Sequence, residues 1–153
     1  MKRAYWRRAH CGIVWLVASI LVAGCSVVTV PTPQPDVTVV VSGNVATGGT
    51  WDADHLRGLG LVELVAIQPN GEELIWQGVL LKDLLDAAEP APGTSQVIFT
   101  NSDGDRVEMS LHDAQACEEC LVAFGLWGRD LHLAMPGQPA ELWVKRLVSI
   151  EIQ

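Results

Sequence analysis

Short runs of apolar and β-branched residues, separated by turn residues, dominate the chain after residue 36. Runs of this length and composition predict β-strands. The Asn70-Gly71 pair favours positive φ and predicts one hairpin turn, and residues 101–104 predict a second. We assign strands to residues 37–41, 61–67, 73–76, 96–100, 106–111, 121–126, 141–144 and 148–152.

Helical periodicity is confined to three short segments. Residues 80–88 carry apolar side chains at positions that share one helical face, and Pro90 ends this segment. Shorter helical segments are predicted at residues 52–57, introduced by Thr50, and at 112–116. Many short strands with few short helices indicate an α+β domain, mostly β, over residues 37–153.

The first 24 residues have the pattern of an export signal. A basic cluster containing Arg7 and Arg8 precedes the apolar run 13–21, which is too short to span a bilayer. Residues 22–25, VAGC, resemble the cleavage site of bacterial lipoproteins. We therefore predict a signal peptide over 1–24 and a lipid on Cys25, which would hold the protein outside the cytoplasm at the bacterial cell membrane or outer membrane. The alternative is an uncleaved signal anchor with an incidental cysteine.

A proline-rich stretch separates the predicted lipid from the domain. Pro31, Pro33 and Pro35 alternate with other residues and favour an extended chain that forms no core. Residues 25–36 are therefore predicted to be a tether.

The charge of the processed chain excludes one class of partner. The full sequence carries a net charge of −8, and four of its ten basic residues lie in the predicted signal, which contains no acidic residue. Removal of the signal leaves a net charge of −12. A domain this acidic is not expected to bind nucleic acid through its phosphates.

Two cysteines remain in the domain, Cys117 and Cys120, separated by two glutamates. In an oxidising compartment they are expected to form a structural disulfide. A redox-active dithiol is a second interpretation, although the adjacent carboxylates disfavour the thiolate. A zinc site is a third and would need two more ligands, for which His112 and His132 are the nearby candidates. We predict no catalytic residue and no metal ligand from these motifs.

Five segments in order resemble the molybdopterin-binding domain of the sulfite-oxidase family. They are residues 76–85 (WQGVLLKDLL), 103–114 with its DG turn and MSLHDA, 121–131 (LVAFGLWGRDL), 137–139 (GQP) and 144–150 (VKRLVSI). The resemblance implies a sulfite-oxidase-like fold of short strands and hairpins. It also implies a molybdenum cofactor, held by its pterin dithiolene and by one protein cysteine, and an oxo-transfer reaction.

The chain departs from the family pattern at the positions that carry this chemistry. Spacing back from Trp76 puts Ala66 near the expected cysteine, and a methyl group cannot ligate a metal. Trp127 and Gly128 stand where the family has an Asn-Gly turn, and Glu141 replaces an arginine that favours anions. We expect the cofactor to be lost, and we take Trp127, Gly128 and Glu141 as candidate pocket or contact residues.

Three functions therefore remain open. The first is a membrane-anchored accessory module that binds an unidentified protein or small ligand and has no cofactor. The second is a molybdopterin-dependent oxidoreductase, and the third is a thiol-redox protein that uses Cys117 and Cys120.

Overall fold

The computed structural model describes residues 37–125 and 128–153, which contain ten strands in two five-stranded sheets and three short α-helices. The predictions for residues 1–36, including the signal peptide, Cys25 and the tether, lie outside these residues, as does Trp127. No helix in the described part of the chain is both long and apolar enough to cross a bilayer.

The first sheet joins the two ends of the domain. Its strand order is β2-β1-β10-β5-β6, and β1 pairs with β10 in parallel while the other neighbours are antiparallel. The strands are β1 (Thr38–Gly43), β2 (Gly49–Asp52), β5 (Gln96–Asn101), β6 (Arg106–Ser110) and β10 (Leu147–Ile152).

The second sheet is antiparallel throughout, in the order β3-β4-β7-β8-β9. Its strands are β3 (Val62–Ile67), β4 (Glu73–Leu80), β7 (Leu121–Phe124), β8 (Leu131–Ala134) and β9 (Val144–Lys145). The helices are α1 (Ala53–Gly58), α2 (Leu81–Ala88) and α3 (Leu111–Ala116).

The main hydrophobic core draws on both sheets and all three helices. Val39 and Phe99 from the first sheet join Val79 and Val122 from the second, together with Leu84 from α2. Because side chains alternate between the two faces of a strand, Leu121 and Ala123 point to the opposite side of the second sheet. There they join a smaller buried cluster with Ala66, Trp76 and Ala134. The second sheet is therefore apolar on both faces, and the side away from the main core is called here its outer face.

The α+β, mostly β fold class predicted from the sequence is confirmed. Both predicted hairpins form, as β3–β4 and β5–β6, and the buried face of α2 contains Leu81, Leu84, Leu85 and Ala88.

Two local predictions were wrong, and two strands were missed. The N-cap of α1 is Asp52, whose Oδ1 accepts a hydrogen bond from the His55 backbone N–H at 2.8 Å, and Thr50 lies in β2. Instead of a strand over 141–144, a 3-10 turn spans Ala140–Leu142 because the Trp143 N–H donates to the Ala140 carbonyl at 3.2 Å. Strands β2 and β8 were not predicted.

Candidate functional site

Small residues form the middle of the outer face of the second sheet. A Cβ on Gly78 would overlap the Val122 carbonyl of β7, so only glycine allows β4 and β7 to approach this closely. Ala123, the register partner of Gly78, is fully buried. This flat, small-residue surface leaves room for larger side chains to lie across it.

Two tryptophans occupy that room. Trp76 projects from β4 and Trp143 precedes β9, and their ring centroids lie 6.1 Å apart with the planes tilted by 59°. Both pack on the outer-face cluster that contains Ala66 and Ala134. Trp76 is 9% exposed, and its indole nitrogen has no hydrogen-bond partner in the described part of the structure. A buried donor without an acceptor costs free energy unless a ligand or water accepts from it.

A histidine and an aspartate lie beside Trp76. His132 is the second residue of β8, and its ring centroid is 5.6 Å from that of Trp76. Its Nε2 lies 3.3 Å from Oδ1 of Asp130. A Cβ at Gly125 would overlap the Asp130 carboxylate and lie 2.7 Å from His132 Nε2, so a larger residue here would require the ends of these side chains to move.

These groups line an open cavity of about 1170 Å³. Further walls are formed by Phe124, by the turn of the β3–β4 hairpin and by the segment that includes β9. The guanidinium carbon of Arg57 lies 5.1 Å from the centroid of the Phe124 ring, a cation–π contact. The volume is at or somewhat above the range typical of small-molecule sites, and the aromatic lining is typical of them as well.

Cations and carboxylates are balanced in this lining. Among the described residues the cations are Arg57, Lys145 and Arg146, and the carboxylates are Glu72, Asp103 and Asp130. Three of the six lysine and arginine residues in the described part of the chain therefore line this cavity. The site is locally near neutral on a strongly acidic chain.

Most of these charges are already paired. Arg146 forms an ion pair with Asp103, and Arg57 contacts Asp54 at 2.9 Å. Glu72 accepts a hydrogen bond from the Asn70 side-chain amide at 2.8 Å. Lys145 makes no ion pair with any residue in 37–125 or 128–153.

The candidate pocket residues from the sequence have three different outcomes. Gly128 lines the cavity. Glu141 is exposed in the 3-10 turn and is not part of the lining, although its neighbour Ala140 is. Glu141 therefore does not belong to this cavity, and as an exposed residue it stays a candidate contact residue. Trp127 lies outside the described residues.

Cys117 and Cys120 are bonded to each other between α3 and β7, with their Cα atoms 5.5 Å apart. Neither lines the cavity. Within the described residues there is also no group of three or more His, Cys, Asp or Glu side chains that could hold a metal ion.

The amino-acid sequence did not indicate the pairing of Asp130 with His132, or the position of Lys145 beside them. His132 and Lys145 are register partners on β8 and β9, so they meet only once these strands pair. The available signal was the alternation in residues 131–134, where a histidine stands between two leucines that both face the main core.

The cysteine that the family resemblance implies has no counterpart at this cavity. Ala66 is 4% exposed and packs in the cluster below the tryptophans. No thiol from the described residues lines the cavity, so the residues present do not fit a molybdenum centre held by a protein thiolate.

A similar fold occurs in a much longer protein. The crystal structure of the sulfane dehydrogenase SoxCD from Paracoccus pantotrophus matches with a TM-score of 0.59 at 15% identity. The match covers 79% of this chain and 39% of that chain. The present chain therefore spans well under half of this relative, and at this identity the likeness shows the fold alone. No curated protein sequence matches the chain.

The family model described as the oxidoreductase molybdopterin binding domain matches residues 66–153. This match confirms the resemblance seen in the sequence. Because it spans more than half of the sequence, the chain belongs to the oxidoreductase molybdopterin-binding domain family.

Proposed function

We propose that the chain is an exported, membrane-anchored lipoprotein in which this domain works without a molybdenum cofactor, as an accessory module that binds a small ligand or a protein partner. The observation that carries the proposal is the buried methyl group of Ala66 near the position of the expected metal-binding cysteine. The lipid on Cys25 would hold the domain near a membrane outside the cytoplasm.

Coordination chemistry supports the absence of the metal. The family resemblance implies one cysteine thiolate on the molybdenum, and the two domain sulfurs form a disulfide away from the cavity. A methyl group offers no lone pair. Any molybdenum would therefore be coordinated by the pterin dithiolene without a protein thiolate.

The electrostatics of the lining support the same proposal. A phosphate-bearing cofactor is bound most strongly where cations outnumber carboxylates. Here three cations are matched by three carboxylates, and Arg146 is already engaged by Asp103. Among the described residues this leaves Lys145 as the lining cation without an ion pair, a single charge against the two of a phosphate group.

Metal and pterin analysis of the full chain tests the proposal. The protein is produced in a host that makes molybdenum cofactor, purified in detergent, and assayed for molybdenum by mass spectrometry and for released pterin by fluorescence. We expect both to be at background. One molybdenum and one pterin per chain would refute the proposal and would favour the molybdopterin-dependent oxidoreductase instead.

The Ala66→Cys variant is the matched comparison. It restores a thiol to this position while adding one atom to a buried site. A rise in its molybdenum content above that of the unchanged chain would identify position 66 as the missing ligand.

A further inference from the structure

The proposed function leaves the ligand unspecified. The charges and aromatic rings of the cavity indicate which chemical class of ligand it binds. Resting on that proposal, we infer that the site takes an organic anion with a planar ring system. The ring packs against Trp143 and Trp76, and the acidic group binds the ammonium of Lys145.

The ring preference follows from the lining at the centre of the cavity. Trp76, Trp143 and His132 all lie on the outer face of the second sheet, and successive ring centroids are 5.6 and 6.1 Å apart. The ring planes are tilted rather than stacked, so the rings form an angled wall. Aromatic groups gain from offset and edge-to-face contacts with such walls in addition to the area that they bury.

The preference for an anion follows from which charged side chains of the lining already have a partner within the protein. Each lining carboxylate has a partner: Asp103 contacts Arg146, Asp130 contacts His132, and Glu72 accepts from Asn70. Lys145 has no ionic partner among the described residues, and it is exposed. A cationic ligand would therefore compete for carboxylates that are already engaged, whereas an anionic one meets an available ammonium.

Lys145 and the rings are close enough to act on one ligand. Lys145 is the register partner of His132, so their side chains lie next to each other on the same face of the sheet. Trp143 is two residues before Lys145 and packs on that same face. The negative charge of the rest of the chain is screened over about 8 Å at physiological salt, so the local ammonium dominates for a group bound beside it.

The experiment compares two probes that differ in charge. 2-Naphthoate and its neutral analogue 2-naphthamide are titrated calorimetrically into the full-length protein in detergent, with blank titrations into detergent alone. We expect naphthoate to bind about fivefold more tightly than naphthamide, the upper range for one exposed ion pair. Equal affinity for the two probes would overturn the inference.

Two single-charge variants locate the effect. Lys145→Gln should reduce naphthoate affinity to that of naphthamide and leave naphthamide unchanged. Lys82→Gln, which removes a cation from α2 outside the cavity, should leave both affinities unchanged. Retention of the charge preference in Lys145→Gln would contradict the inference, and matching thermal unfolding curves verify that both variants are folded.

Failure of this inference is distinguishable from failure of the proposed function. Molybdenum and pterin are measured in the same preparation before titration. Background levels together with no binding of naphthoate overturn the ligand class alone. Stoichiometric cofactor overturns the proposed function itself.

Discussion

Gly125 determines how two polar side chains are held at the cavity. It follows β7 directly, and its backbone N–H donates to the Asp130 carbonyl at 2.9 Å. The space above its Cα is filled by the Asp130 carboxylate and the His132 imidazole. A single missing Cβ therefore permits the contact between Asp130 and His132, and through His132 it sets the position of the ring beside Trp76.

Gly125→Ala should displace both side chains. We expect a loss of about 1 kcal/mol in the free energy of unfolding, the low end of the range for an added methyl group, because the Cβ meets the ends of two partly exposed side chains. Urea unfolding measures this loss. Gly58→Ala is the control, since a Cβ there meets nothing within 4 Å and its φ is not positive. Equal stability of the two variants would show that Asp130 and His132 move aside at little cost.

The sequence identified some of these residues and could not identify others, for a physical reason. Trp76 lies in the recognisable motif of residues 76–85, and it is buried. His132 is one histidine between leucines, and nothing local connects it with Lys145 or with Gly125. Their proximity depends on which strands pair and in which register, and this information is carried by long-range packing.

The elements differ in how much of their apolar surface is buried. The β3–β4 hairpin leaves large apolar side chains exposed, whereas helix α2 buries its apolar face. Val65, Ile67 and Ile75 share the hairpin face opposite Trp76 and are 56%, 64% and 67% exposed. The apolar face of α2 is fully buried in the main core. Similar hydrophobic residues therefore contribute very differently to stability.

Truncation of one aliphatic side chain in each element tests this difference. Leu84→Ala in α2 should lower the free energy of unfolding by about 3 kcal/mol, because it removes fully buried methyl groups and leaves a cavity. Ile75→Ala in the hairpin should change it by less than about 1 kcal/mol. Urea denaturation of both variants and of the unchanged protein under the same conditions measures the two free-energy differences. A large loss for Ile75→Ala would mean that a partner or another segment covers the hairpin in solution.

The segment between α3 and β7 is held by the disulfide of Cys117 and Cys120. Loop-closure entropy for so short a loop predicts a stabilisation of about 2 kcal/mol. Adding reductant should lower the free energy of unfolding by that amount, measured by urea titration with and without the reductant. A double variant, Cys117→Ala with Cys120→Ala, should not respond to reductant. A response in the double variant would trace the effect to some other group.

At the scale of the whole molecule, the sequence was most informative where local pattern and family resemblance agreed. The hairpins, α2 and the mostly β class follow from turn residues and periodicity, and they are present. The parallel pairing of β1 with β10 joins strands from the two ends of the domain, which no local pattern reveals. The failure at residues 141–144 has a local cause, because Pro139 begins a 3-10 turn before β9.

The proposed attachment to a membrane concerns the whole molecule, and the proposal rests on residues outside the described structure. Lipid transfer requires the Cys25 thiol, so Cys25→Ser should abolish labelling by a radioactive fatty acid and leave the signal peptide uncleaved. Cys11→Ser removes a thiol from the predicted signal instead, and labelling should persist. Fatty-acid labelling and mass spectrometry of the produced chains provide both readouts. Undiminished labelling of Cys25→Ser would exclude the anchor and, with it, the proposal that the cavity works at a membrane surface.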